Sequence, residues 1–348
     1  MINTKLLAQI CEESGPPGRE QKIREIVSKE LSQYVDSIKT DNLGNLIVLK
    51  KGKEKKKVMI AAHMDEIGFI VTHIDEKGFV YFHTLGGFDP KTLTAQRVII
   101  HGNQDVLGVM GSKPIHLMTQ EDRKKPPSIK DYFIDTGMSS QKLKQKISVG
   151  DSITRERKLV EMGKNINCKS LDNRISVYIL IEMFKEMKKL PPYDVYGVFT
   201  VQEEIGIRGA KVASMEINPD FGFGLDTTIA WDTPGSTEQE RVSSLGEGAC
   251  IKIMDSSTLC DYRMVSYMKE IAKKKKIKYQ LEILPAGGTD TAGIQRMNPG
   301  GSIAGAISIP TRHIHQVIEM VNKKDVRNSI DLLRTCVENI DKYDWSFK

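Results

Sequence analysis

Several things are scarce or missing in this 348-residue chain, and each absence removes a class of function. No apolar stretch approaches the roughly 20 residues a membrane-spanning helix needs. The opening MINTKLLAQICEES lacks the basic segment, apolar run and small-residue cleavage site of a leader peptide, so none is expected. Cysteine is limited to Cys11, Cys168, Cys250, Cys260 and Cys336, with no CxxC spacing. That excludes a thiolate zinc site or a redox pair and predicts reduced thiols in a cytoplasmic protein. Tryptophan occurs twice and aromatics make up 6% of residues, which leaves few platforms for stacking sugars or bases. Charge of one sign does not dominate either. The net +6 sits largely in KKGKEKKK at 50–57 and KKKK at 273–276, read as solvated faces, so neither a nucleic-acid nor a membrane partner is expected.

The hydrophobic share of 39% and charged share of 28% are those of an ordinary globular chain, and the length suits two domains. PGREQKIREIVSKEL reads as a helix with Ile23, Ile26, Val27 and Leu31 on one face. DNLGNLIVLK turns at 42–44 into a strand, and KVMIAAHMD is a buried strand whose end delivers His63 and Asp65. Between 68 and 157 the texture changes to short β runs broken by glycine turns, which predicts an inserted β-barrel or sandwich. Afterwards α/β alternation returns: a helix over DNRISVYILIEMFKEMKK, strands at VYGVFTVQ, FGFGLD, ACIKIM, KYQLEIL and SIAGAISIP, a helix from about Asp261, and a last helix over 324–340. The expected fold is α/β: a mixed-sheet catalytic domain from 1–67 and 158–348, interrupted by a β-rich domain at 68–157.

Ligand-type side chains stand at strand ends or helix starts: His63 and Asp65, Asp172, Glu203 and Glu204, Asp226, and His313 and His315. Open α/β sheets place their clefts there. Carboxylate and imidazole without thiolate make a donor set that suits Zn, Co or Mn. In His-x-Asp the carboxylate can accept the N–H of the non-ligating ring nitrogen and fix the tautomer. Taken singly, each feature has a plainer reading: His63 and Asp65 a surface pair, Glu203 and Glu204 loop acids, Asp172 an N-cap, Asp226 a turn former. Their recurrence at the cleft side of one sheet favours a shared site.

The ordered set SGPPGRE, AAHMDEIGF, GGFDPKTL, QRV, PIHL, VGD, LDNR, VQEEIGIRGA, LDTT, DTPG, GGTDTAGIQ and PTRHIH, spanning roughly residues 10–340, closely resembles the tetrahedral aminopeptidases. These are also called glutamyl or deblocking aminopeptidases, and some relatives carry a cellulase label. The resemblance implies a dinuclear exopeptidase fold carrying a barrel-like domain used in assembly. It implies two divalent ions per subunit, zinc first with cobalt or manganese as alternatives, held by His63, Asp172, Glu204, Asp226 and His315. Asp172 would bridge them, Glu203 would be the general base, and Asp65 a supporting catalytic residue. The nucleophile would be a hydroxide shared by the ions, acting on the N-terminal residue of short peptides. Self-assembly, up to a tetrahedral dodecamer, is the expected partnership. Two positions depart from the family pattern: His313, where an aromatic is usual, and Trp231, where small residues are usual.

GGTDTAGIQ brings Thr289 and Asp290 forward as substrate contacts, with helix capping the alternative, and His313 joins them as a neighbour of the presumed ligand. Specificity stays open between acidic and broad leucyl-type. A metal-dependent carboxypeptidase or deacylase of related architecture is the main rival. A glucanase fits less well, because glycosidases pair carboxylates without interleaved histidines. A non-catalytic scaffold is disfavoured because no ligand or base is missing.

Overall fold

The computed structural model describes residues 2–347. At its centre lies an 11-stranded mixed sheet. Four neighbouring strands run parallel in the order Tyr193–Thr200, Glu54–His63, Phe221–Ile229 and Ile303–Arg312. Antiparallel strands flank them: Leu46–Lys50 and Ser37–Thr40 on one side, Glu319–Asn322, Asn165–Cys168 and Val160–Met162 on the other. Ala249–Met254 pairs antiparallel with Ile303–Arg312 and carries Tyr279–Ile283 beside it.

The parallel strands are covered on both faces, so their sequences are apolar without alternation. Val58, Met59, Ile60, Ala61 and Ala62 are all fully buried. On one face, Leu171–Glu186 and Lys323–Asn339 pack with Thr4–Glu12, Gln21–Leu31 and Tyr262–Lys275 in the main core. On the other, Arg208–Ile217 and Thr291–Arg296 close a smaller core around Met59, Val198, Ala213 and Ile294. Leu171–Glu186 is apolar almost all round because it lies sandwiched between the sheet and its neighbouring helices.

Six strands form a closed barrel in the order Gly68–Ile74, Val80–Leu85, Tyr132–Asp135, Asp105–Ser112, Arg97–His101 and Ser152–Arg155. It has its own core, including Phe69, Val98, Ile100, Ile134 and Ile153. The barrel touches the sheet domain through defined bonds. His101 Nε2 lies 2.9 Å from Ser14 Oγ, and Arg155 Nη1 donates to the carbonyl of His315 at 3.1 Å. No helix among the described residues is long and apolar enough to cross a membrane. The five cysteines are buried and free of disulfides.

Candidate active site

The carboxyl ends of the parallel strands deliver the ligand-type residues to one place. His63 is the last residue of its strand and pairs in register with Thr200, so the turn after Thr200 brings Glu203 and Glu204 alongside it. Asp226 lies within the neighbouring parallel strand. Asp172 has extended backbone angles before the regular part of its helix. The Asp172 carboxylate faces His63 and His315 rather than capping the helix, whose N-cap position is taken by Ser170. Asn173 Nδ2 donates to the Leu225 carbonyl at 2.8 Å, tying this segment to the strand that carries Asp226.

Two sets of donors meet at Asp172. His63 Nε2 lies 3.4 Å from Asp172 Oδ1 and 3.7 Å from Asp226 Oδ1. His315 Nε2 lies 3.5 Å from Asp172 Oδ2 and 3.5 Å from Glu204 Oε2. Each oxygen of one carboxylate thus faces a different histidine. Atoms held about 2.0–2.2 Å from a tetrahedral zinc stand roughly 3.3–3.6 Å apart, so three of these separations fall within the spacing of ligands around a common ion and the fourth, at 3.7 Å, just beyond it. Glu204 Oε1 is buried without a protein partner, which a cation would answer. The donor set and its orphaned oxygen therefore fit a pair of divalent ions.

The electrostatics point the same way. Burial above all holds the carboxyls of Glu203 and Glu204 well above the ordinary range and raises that of Asp226. Burial alone would lower the His63 imidazole, but Asp172, Asp226 and Asp65 outweigh it and raise it well above the usual value. Acids crowded and desolvated in this way repel one another unless cations sit among them.

Asp65 meets His63 through both its carbonyl and its carboxylate, and it has a further part that its spacing did not suggest. The proton on His63 Nδ1 goes to the Asp65 main-chain carbonyl at 3.1 Å, and the Asp65 carboxylate stands back at 3.5 Å. A carbonyl can only accept, so Nδ1 carries a proton and Nε2 is the nitrogen left to face a cation. The Asp65 carboxylate also accepts the amides of Glu203 and Glu204 at 3.0 and 3.1 Å. It fixes the turn that carries both.

Sequence reasoning missed Glu319, which is buried beneath the cluster. Its Oε2 accepts the Asp172 amide and its Oε1 the His315 amide, both at 2.9 Å. Burial, then the Asp172 charge, push it up to about 8. A lone acid inside the apolar run Val317-Ile318-Glu319-Met320-Val321 was the available signal. Arg155, from the barrel, was also missed. Its guanidinium is fully buried and lies 5.2 Å from the Phe88 ring centroid.

Of the expected substrate contacts, Thr289 and His313 line the cavity in front of the cluster, as does Trp231. Asp290 does not line it: its side chain is buried, accepts the Thr200 hydroxyl and is raised to about 7 by burial. Thr289 donates to Asp255 at 3.1 Å rather than capping the helix that follows.

Comparison with known proteins gives one consistent picture. The model of the M42 glutamyl aminopeptidase family matches residues 44–332. A lysyl aminopeptidase of Pyrococcus furiosus is 32% identical, over 99% of this chain and 100% of that protein. The structure of an aminopeptidase from the archaeon Desulfurococcus kamchatkensis superposes with a TM-score of 0.91 at 35% identity, covering 96% of this chain and 94% of that one. A peptidase of Pyrococcus horikoshii, described as assembling into a tetrahedron or a large octahedral shell, matches with a TM-score of 0.86 at 29% identity, over 96% and 98% of the two chains.

Proposed function

Because the chain belongs to the M42 glutamyl aminopeptidase family, and is thus an aminopeptidase that works with divalent metal ions, we propose that the cluster around Asp172 is its active site. One ion would be held by His63, Asp226 and Asp172, the other by His315, Glu204 and Asp172. The observation that carries this reading is the division of the Asp172 carboxylate between the two histidines. Zinc is the first candidate from the nitrogen and oxygen donors, with cobalt or manganese as alternatives.

Ions bound there supply an activated water and polarise the scissile carbonyl of the substrate. The chain's own residues do the rest. Glu203 lies at the cluster, with Oε2 3.9 Å from His63 Nε2, yet neither donor set needs it. We assign it the proton: its carboxylate takes one from the attacking water and returns it to the leaving amine. Asp65 positions Glu203 and Glu204 together through their amides. Thr289 and His313 flank the bound peptide, and Asp290 holds Thr200, the strand neighbour of His63, by accepting its hydroxyl.

The barrel, delimited at 68–157, serves assembly of identical chains, with a closed tetrahedral shell as the model offered by the Pyrococcus horikoshii relative. A cytoplasmic setting accords with five buried free thiols.

The test is metal stoichiometry. Wild-type protein is expected to bind two ions per chain by elemental analysis, and Asp172→Asn to lose both. Full aminopeptidase activity with a single ion bound, or unchanged stoichiometry in Asp172→Asn, would overturn the assignment.

A further inference from the structure

The cavity in front of the cluster encloses about 760 Å³, and charge is rationed along it in an unusual way. Apart from histidines, its cationic side chains among the described residues are Lys252 and Arg312. Both are already matched. Lys252 is 1% exposed, with Nζ 3.1 Å from Asp255 Oδ2 and 3.2 Å from Glu282 Oε1. Arg312, nearer the solvent, meets Asp232 in a two-pronged pair at 2.6 and 2.8 Å.

The carboxylates in these groups are largely occupied too, although the buried Glu282 Oε2 has no hydrogen-bond partner. Asp255 accepts the Thr289 hydroxyl at 3.1 Å and the Ser257 amide at 2.8 Å. Glu282 accepts the Thr228 hydroxyl at 2.7 Å, and Asp232 the Leu245 amide at 2.9 Å. On the barrel side Asp89 caps its own turn by accepting the Lys91 amide. What remains open to an incoming side chain is largely apolar: Ile229 and Trp231, each about two-fifths exposed, with Ile207, Leu284 and Phe88.

An acidic side chain entering this space would shed water without gaining a cation, and would face the excess carboxylate of the Lys252 group. A basic one would meet carboxylates already paired with Lys252, Arg312 or a turn amide, while the one unpartnered oxygen among them, Glu282 Oε2, is buried and does not line the cavity. Burying a charge unpaired is among the most unfavourable steps a site can demand.

We infer that this pocket selects uncharged, apolar N-terminal residues and rejects Asp and Glu, because Asp255 with Glu282 and Asp232 withhold the cations that an acidic residue would need. The inference rests on the aminopeptidase reading of the same site, and it departs from the glutamyl preference in the family's description.

The experiment compares kcat/KM of the metal-loaded protein on Leu, Met, Lys, Glu and Asp p-nitroanilides. Leu or Met is expected to exceed Glu by roughly 10²-fold or more. Asp232→Asn and Glu282→Gln should each raise the Glu-to-Leu ratio, with thermal melting to confirm that the buried variant folds. Asp232→Asn lies nearer the surface and keeps the test alive if Glu282→Gln does not fold. Preference for Glu, Asp or Lys in the wild type overturns the inference while leaving the aminopeptidase reading intact. An apolar preference with neither folded variant moving the ratio overturns the role given to the paired cations. Failure to cleave any of the anilides with two ions bound sinks the aminopeptidase reading, and the inference with it.

Discussion

At the scale of single residues, adjacent acids on one turn face different histidines because the backbone turns between them. Glu204 points at His315 and Glu203 toward His63, while Asp65 holds both amides. Glu203→Gln should therefore lower kcat by about 10² to 10⁴ while two ions remain bound, since a base is lost and a ligand is not. Elemental analysis beside steady-state kinetics checks this, and loss of an ion would move Glu203 into the donor set. Glu319→Gln makes a separate demand. The carboxylate accepts two amides, whereas a carboxamide offers one accepting oxygen and turns an N–H toward the other donor. Affinity for the ion at His315 should fall roughly 10- to 100-fold in a chelator competition. Unchanged affinity would show that Glu319 only fills space. The ligand-type residues could be read from sequence because each follows an apolar strand or opens a helix. Glu319 and Arg155 act on main-chain groups and leave no pattern of side-chain spacing, so Glu319 shows only as a lone acid in an apolar run and Arg155 not at all.

At the scale of elements, strong periodicity and long apolar runs marked the parallel strands and the long helices closely. The helix expected over 324–340 occupies Lys323–Asn339, and the one expected near Asp261 begins at Tyr262 with the Asp261 side chain accepting the Arg263 amide. What escaped were short strands such as Val160–Met162 at the sheet edge and Glu319–Asn322 inside it, and the helices Thr4–Glu12 and Arg208–Ile217, while Thr291–Arg296 enters only as the alternative reading of Thr289 and Asp290. The last is held less by its own composition than by a notch in the sheet. Gly222 and Gly224 on the strand Phe221–Ile229 leave room for Ile294 and Thr291: a Cβ at Gly224 would stand 1.9 Å from Thr291 Oγ1, and one at Gly222 2.3 Å from Ile294 Cγ2. The strand that carries Asp226 and the helix behind Thr289 can approach only because these positions lack side chains. Gly224→Ala should accordingly cost about 1–3 kcal/mol in denaturant unfolding, as overpacking in a closed core does. A neutral result would mean that the helix slides away freely and that the floor of the cavity is not fixed by this contact.

At the scale of the whole molecule, the barrel both serves the site and faces outward. Its inner contribution is Arg155, whose bond to the His315 carbonyl ties one ligand loop to the barrel. Its outer contribution breaks a rule. Along Asp105–Ser112 burial alternates residue by residue, so Leu107 and Val109 point away from the barrel core where a free surface would carry polar side chains. Leu107 is 56% exposed and Val109 48%, and the half-buried Ile99 pairs directly with Leu107 on the adjacent strand. Ile115 and Leu117, which follow in the chain, are more exposed still. Apolar side chains gathered in this way mark a surface that another chain covers. Replacing both Leu107 and Val109 by Arg should leave the barrel folded, because neither side chain enters its core, and should lower the mass measured by light scattering toward that of smaller species. Every residue assigned to the two ions and to the proton belongs to one chain, so the dissociated variant should still cleave aminoacyl anilides. A variant that keeps its full assembled mass would place the contact on another face. One that dissociates and loses all cleavage would show that neighbouring chains hold the cavity in shape, with the barrel passing that restraint to His315 through Arg155.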